Sequence, residues 1–469
     1  MRHTATFPLD DLVFWKKQLL HWAATHEAAA YLDSNGASPQ SGRSTDVDEG
    51  WECLVACGAA QTLVCNSGTA FQQLQAFREG EGIDWLFGFF SYDLKNEVER
   101  LTSVHPDGVG FPDLVFFQPE TVAGIRNGQL EIRCLTQDPQ QVYESVRLQA
   151  TTHSTLPGPS QSPRPSLQAR FSKPEYLATV EAIRQHIVEG DVYEVNLCQE
   201  FFSEHTAINP VAVFERLNAI AQAPFATFLR WHHRYLLSAS PERFLKKTGR
   251  RVMSQPIKGT RRRGATAAED ERIRHELAAS EKDRAENVMI VDLVRNDLAR
   301  HCLPGSVRVD ELFGIYTFPT VHQMISTVSG VLAGGTAFTP SGQKPFTAMA
   351  NESNEASSVN VAYPDGVNAV LPLRDAFPMG SMTGAPKVMA MQLIEQYERT
   401  RRGLYSGAVG YFDPKGDFDF NVVIRSILYN AESGYVSVQV GGAIVFDSDP
   451  EQEYEECLLK AEAMRRALS

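Results

Sequence analysis

LYSGAVGYFDPKGDFDFNVVIRSILYNAESGYVSVQVGGAIVF, residues 404–446, decides the fold class of this 469-residue chain. Three apolar, β-branched and aromatic runs (404–412, 418–428 and 435–446) are separated by the turn-formers DPKGD and NAESG. Short extended runs joined by such turns predict an antiparallel meander. Outward on the C-terminal side, Asp449 offers an N-cap and Pro450 a first helical residue, so a helix follows to the end of the chain. On the N-terminal side, residues 85–93 (WLFGFFSYD) and 130–135 read as strands. Ser172 and Glu175 have the spacing of a capping box. The helix they open, with Tyr176, Val180, Ile183 and Ile187 on one stripe, stops at Gly190. A second patterned helix begins at Ser280. The order of elements predicts an α+β protein with mainly antiparallel sheets rather than a βαβ array.

Composition divides the chain further. Residues 151–166 (TTHSTLPGPSQSPRPS) predict a linker, 151–170, between an N-terminal lobe (1–150) and a main region (171–469). Residues 331–370, poor in periodicity, predict a loop insertion. A net charge of −13 argues against a nucleic-acid partner, while leaving room for a small anion held by local donors. Seven scattered cysteines suit reduced thiols rather than a zinc tetrad. No opening apolar segment and no bilayer-length run is present, so no membrane partner and a cytoplasmic location are expected.

Four constellations carry chemistry. Glu453, Glu456 and Lys460 share one face of the last helix. With Glu286 from the Ser280 helix they would suit octahedral magnesium; a solvated face with a Glu–Lys pair is the alternative. The loop PMGSMTGAPK, 378–387, places Gly380 and Gly384 before a helix N-terminus, fit for an anion or simply a glycine loop. In the turn-like stretch QPIKGTRRRG, 255–264, Lys258 could become a nucleophile if burial or Arg261, Arg262 and Arg263 lowered its pKa; a basic surface loop is the alternative. Arg425 lies in an apolar strand, FNVVIRSI, and needs either a ligand carboxylate or a buried acid as partner. Gly441 and Gly442 allow a ligand or another backbone to come near.

Ser240-Pro241-Glu242, PIKGTRRRG, the segment from Glu281 to Asp297, His322, GSMTGAPK, YSGAVGYF, VVIRS, GGAIVFDSDPE and EYEECLLKA run in one order over residues 172–465. Together they resemble the chorismate-utilising enzyme family. That resemblance implies a large two-lobed α/β/β/α sandwich of mainly antiparallel sheets flanked by helices, with 171–469 as the chorismate-binding catalytic region. It implies Mg2+ on the ring carboxylate through Glu286 and Glu456, with Glu453 near or acting through water. Tyr405 and Arg425 would hold the enolpyruvyl carboxylate, and Gly384, Gly441, Gly442 and Lys460 would complete the cradle. Glu242 would protonate the departing C4 hydroxyl, with His322 close to it, and Thr383 would join the catalytic positions.

Lys258 stands where anthranilate synthases carry Ala, and resembles the aminodeoxychorismate branch. There the lysine is the proposed nucleophile at C2, and ammonia then attacks C4 to give 4-amino-4-deoxychorismate, for p-aminobenzoate and folate. Glu194, in GDVYEVNL, occupies the place of the water-activating lysine of isochorismate and salicylate enzymes, where the amine users usually have Gln. The chain carries no recognisable amidotransferase segment, so the resemblance implies ammonia from a separate glutamine amidotransferase subunit. Another chorismate conversion, above all anthranilate formation, or an inactive paralogue serving as a binding subunit, are the competing expectations. Tyr31-Leu32-Asp33-Ser34 is similar to the segment lining the tryptophan pocket of anthranilate synthases, with Tyr31 in place of Leu.

Overall fold

Alternation along the strands builds two separate cores. In Ala28–Asp33, Ala28 and Ala30 face one hydrophobic cluster while Ala29 and Tyr31 face the other; in Cys53–Cys57, Leu54 and Ala56 oppose Cys53, Val55 and Cys57 in the same way. A strand buried on both faces belongs inside a layered sandwich, and that is the architecture of the computed structural model, which describes residues 2–36, 50–80, 84–152, 165–334 and 367–469. Every pairing in its two large sheets is antiparallel. The first sheet runs in the order His3–Pro8, Gln129–Cys134, Thr121–Arg126, Cys53–Cys57, Ala28–Asp33, Phe225–Trp231, Arg234–Ser240, Ser426–Asn430, Tyr435–Ile444, Glu194–Ser203 and Gly384–Ala385. The second runs Ile257–Arg262, Val321–Val331, Arg251–Gln255, Arg243–Thr248, Phe418–Val422, Ala408–Phe412, Leu86–Phe90, Leu114–Gln118 and Gln61–Cys65. One core, rich in Phe87, Phe89, Phe90, Phe116, Phe412 and Phe420, joins the two sheets; the other lies between the first sheet and its helices.

The helix signals read as expected. Ser172 and Glu175 form a capping box, Gly190 closes that helix at φ 88°, Ser280 caps Glu281–Ala299, and Asp449 caps Pro450–Leu468. Strand assignment differs in two places. The expected 404–446 meander is divided between the sheets. Ala408–Phe412 and Phe418–Val422 lie in the second, and Ser426–Asn430 and Tyr435–Ile444 in the first. The chain crosses over at 423–425, so Arg425 is not inside a strand; it sits at the crossing with φ 52°. QPIKGTRRRG is likewise not a turn: Ile257–Arg262 is an edge strand, irregular between Ile257 and Thr260, where Gly259 has φ 86°.

Residues 1–150 contribute five strands to the first sheet and three to the second, on each occasion as a contiguous flank. Most of the expected linker (153–164) and insertion (335–366) lies outside the described residues. All seven cysteines are buried and unbridged. No described helix is long and apolar enough to cross a membrane.

Candidate functional site

Two neighbouring chain segments change sheets at the same level. After Arg234–Ser240 the chain leaves the first sheet through Pro241 and Glu242 and enters the second at Arg243–Thr248; the partner strands Ser426–Asn430 and Phe418–Val422 make the same change through residues 423–425. Val422 N–H donates to the Glu242 carbonyl at 3.0 Å and Ala239 N–H to the Arg425 carbonyl at 3.1 Å, fastening the crossings to each other. Where sheets part, side chains replace backbone ladders, and the two charged residues of the crossings, Glu242 and Arg425, are held there.

Glu242 is 5% exposed, and burial raises its carboxyl to about 7 against the pull of its hydrogen bonds and of Lys258. The Arg425 guanidinium makes no hydrogen bond or ion pair among the described residues. Burial lowers its pKa, with Tyr405 and Glu456 acting in the opposite sense. It borders a 70 Å³ cavity together with Pro241, Thr260 and Gln323. An arginine so placed is prepared for an external carboxylate. Tyr405 is buried beside it, its hydroxyl 3.6 Å from Cys198 Sγ.

Lys258 bridges the sheets. Its Nζ lies 2.5 Å from Glu194 Oε1, on the penultimate strand of the first sheet. The expected depression of its pKa is corrected here. Burial does push the ammonium down, but Glu194 and Glu286, with Glu242, outweigh it and hold Lys258 above its ordinary value. The three arginines act elsewhere: Arg261 pairs with Asp283, Arg262 with Glu462 and Arg263 with Asp270. Glu194 itself is fully buried, and its Oε2 has no hydrogen-bond partner among the described residues.

The acidic side comes from two helices. Glu286 projects from Glu281–Ala299, and burial raises it to about 7. Glu453 and Glu456 lie on Pro450–Leu468 beside Gly442: a Cβ at 442 would stand 3.1 Å from Glu453 Oε2 and 3.8 Å from both Glu456 Oε1 and Lys460 Nζ. Burial raises Glu453 as well. Burial also opposes ionisation of Glu456, but Lys460, Lys282 and Arg425 prevail and hold it below its ordinary value. The Lys282 ammonium acts on all three carboxylates, 4.0 Å from Glu286. A shared positive charge among oxygen donors fits a hard divalent cation such as magnesium. The three are not as tightly gathered as His186, Glu189 and Asp191, whose ligand atoms lie within 4.8 Å of one another on the surface. That exposed group is already self-satisfied: His186 contacts Asp191 through Nδ1 and Tyr397 through Nε2.

Lys460 donates to the Gly441 carbonyl at 2.7 Å and pairs with Glu456 at 2.5 Å. Gly441 serves strand packing, since a Cβ there would stand 2.4 Å from the Leu197 carbonyl oxygen; Gly384, at φ 144°, likewise lies against the Glu194 carbonyl. The glycine loop is fixed from below. Buried Arg402 pairs with Glu398 at 2.6 Å and donates to the Met382 and Asn196 carbonyls, while Lys387 reaches Asp297 at 2.8 Å.

Two expected positions are turned elsewhere. Both nitrogens of His322 are engaged, by Thr317 and Asp270 at 2.9 Å each, and Thr383 donates to the Met379 and Gly380 carbonyls of its own loop. One residue enters that sequence reasoning had not placed: Lys282, legible as the i−4 neighbour of Glu286. Glu194, set by resemblance at the position of the water-activating lysine, pairs with a residue 64 positions away, which no local pattern announces. In the segment 31–34, Tyr31 is buried and its hydroxyl donates to Asp33 at 3.0 Å.

A family profile described as chorismate binding enzyme matches residues 22–340 and 354–466. Anthranilate synthase component 1 of Thermus thermophilus is 36% identical over 388 residues, 81% of this chain and 76% of its own length. Aminodeoxychorismate synthase component 1 of Bacillus subtilis is 34% identical over 391 residues, again 81% and 76%. Among solved structures, anthranilate synthase component I from Streptococcus pneumoniae superposes with a TM-score of 0.70 at 23% identity, covering 92% of this chain and 96% of its own.

Proposed function

The chain belongs to the chorismate-binding enzyme family, and from that premise we propose that it aminates chorismate at C4, with ammonia from a separate glutaminase subunit, to give 4-amino-4-deoxychorismate on the way to p-aminobenzoate and folate. The observation that carries this reading is Lys258: a buried amine at the meeting of the two sheets, bonded to Glu194 and within electrostatic reach of Glu242 and Glu286.

Each group then has a task. Arg425, with Tyr405 beside it, receives the enolpyruvyl carboxylate. Lys460 and the glycines at 441 and 442 border the ring carboxylate. Glu286 and Glu456, with Glu453, would hold magnesium, which when bound supplies a positive anchor for that carboxylate. Hydroxide is a poor leaving group, so C4 needs a proton donor, and a carboxyl lifted to about 7 still carries its proton near neutrality. Lys258 attacks C2 as the C4 oxygen departs with the Glu242 proton. Ammonia next bonds to C4 and the lysine leaves, so one hard substitution becomes two easier ones.

The deciding experiment supplies purified protein with chorismate, a magnesium salt and an ammonium salt, and identifies the product by mass. An aminated product that retains the enolpyruvyl group is expected. Anthranilate, which has lost it, would assign the chain to the other branch, and no aminated product with no chorismate binding would leave a binding subunit. Lys258→Ala should lower the amination rate by about 10³-fold or more, and unchanged turnover would exclude the covalent route.

A further inference from the structure

We propose that Glu194 is the base of the lysine step: it takes the Lys258 proton as the amine attacks C2, keeps it while the lysine is bonded to the ring, and returns it when the lysine leaves. The inference rests on the amination reading above. An ammonium has no lone pair to attack with, and this one is held in its charged form by the carboxylates around it. The proton must therefore move to a neighbour before or during attack.

Among the described residues Glu194 is the hydrogen-bond partner of Lys258, at 2.5 Å. The other two carboxylates that act on the amine have different work. Glu242, reached from the sheet crossing, must itself hold a proton for the C4 oxygen. Glu286, from the helix packed on the Lys258 strand, belongs with Glu453 and Glu456 on the cation side. Of these carboxylates only Glu194 hydrogen-bonds Nζ, and its buried oxygen, Oε2, has no bond to lose among the described residues. Its backbone is locked on both sides by the glycine loop: Glu194 pairs with Ala385, Tyr193 N–H donates to the Ala385 carbonyl at 2.7 Å, and Asn196 N–H to the Thr383 carbonyl at 2.8 Å.

The step balances. A Lys258 N–H proton passes to the Glu194 carboxylate; the freed pair forms the N–C2 bond; the C4–O bond breaks and its oxygen leaves as water with the Glu242 proton. Ammonia then forms the N–C4 bond, the C2–N bond breaks with its electron pair returning to Lys258, and Glu194 reprotonates the amine. The surplus proton on the product nitrogen restores Glu242.

Glu194→Gln keeps the shape and the hydrogen bond to Lys258 but cannot accept the proton. With chorismate, magnesium and ammonium, its kcat should fall about 100-fold or more while KM for chorismate stays within about threefold. With ammonia saturating and below about pH 7, where Glu242 keeps its proton, its rate should climb about tenfold per pH unit as solvent base removes the lysine proton instead, a slope the wild-type enzyme lacks. Mass spectrometry should show the Lys258 adduct forming correspondingly slowly. Glu194→Asp, which keeps a carboxylate, should recover part of the rate with the wild-type pH profile. Turnover of Glu194→Gln within about threefold of wild type, or a lowered rate that keeps the wild-type pH profile, would overturn the assignment. Failure of the amination reading is separately visible, because wild-type protein would then release no aminated product before any variant is made.

Discussion

At the residue scale, Glu242 shows what a poised acid demands of the fold. Its carboxyl is neutral in the folded protein up to about 7, against 4.5 for an ordinary glutamate. Between those values the folded state holds a proton that the unfolded chain has released. Stability is therefore full below 4.5 and is lost as pH rises through 7, by about 3 kcal/mol in all. Glu242→Gln removes the ionisation, so its melting temperature at pH 8 should exceed that of wild type while amination falls about 10²-fold or more. Thermal scans at pH 5 and pH 8 check the first part, since the gain should vanish at pH 5. The same titration should cut the amination rate as pH climbs above about 7. Glu286, also raised to about 7, predicts the opposite trend for magnesium: protons compete below that pH, so calorimetric affinity should weaken on acidification.

At the element scale, adjacent glycines of one strand have different duties. Gly441 faces the Leu197 backbone and Cys198, neither of which can retreat; Gly441→Ala should cost about 1–3 kcal/mol of stability, read from chemical denaturation. Gly442 faces first the ends of three side chains, Glu453, Glu456 and Lys460. Gly442→Ala should leave the denaturation midpoint nearly unchanged and weaken magnesium and chorismate binding, measured by calorimetry. In the sequence the pair reads as one feature. The strands show a similar limit. Phe418–Val422 and Ser426–Asn430 form one apolar run, and periodicity cannot reveal that they pair in different sheets. The legible sign was Arg425: a charge in an apolar run marked the crossing, where it had been taken to sit inside a strand and to need a ligand carboxylate or a buried acid. Lys258 shows the converse error. Basic neighbours at 261–263 are close in sequence, yet each is tied to a carboxylate of its own, and the lysine answers to acids from three other elements.

At the scale of the whole molecule, residues 1–150 are continuous with the rest. Phe90 packs on Phe420 and Phe116 on Phe412, with ring centroids 5.2 and 5.6 Å apart, so the aromatic core draws on both halves of the chain. Removing residues 1–164 would leave Phe225–Trp231 and Ala408–Phe412 as unpaired edges, the latter beside an exposed aromatic core. Such a fragment should aggregate or lack a cooperative melt, which light scattering and calorimetry would register; an intact, monodisperse 165–469 fragment would show the first half to be dispensable.

The sequence by itself determined the local terms: helix caps at Ser172, Ser280 and Asp449, strand-like alternation, turns, and the motifs that identify the family, because each depends on residues a few positions apart. Only the tertiary structure decided which sheet each strand joins, that Glu194 meets Lys258, and that the lysine is held charged. Burial and Coulomb interaction depend on distance in space, and these partners come from distant parts of the chain.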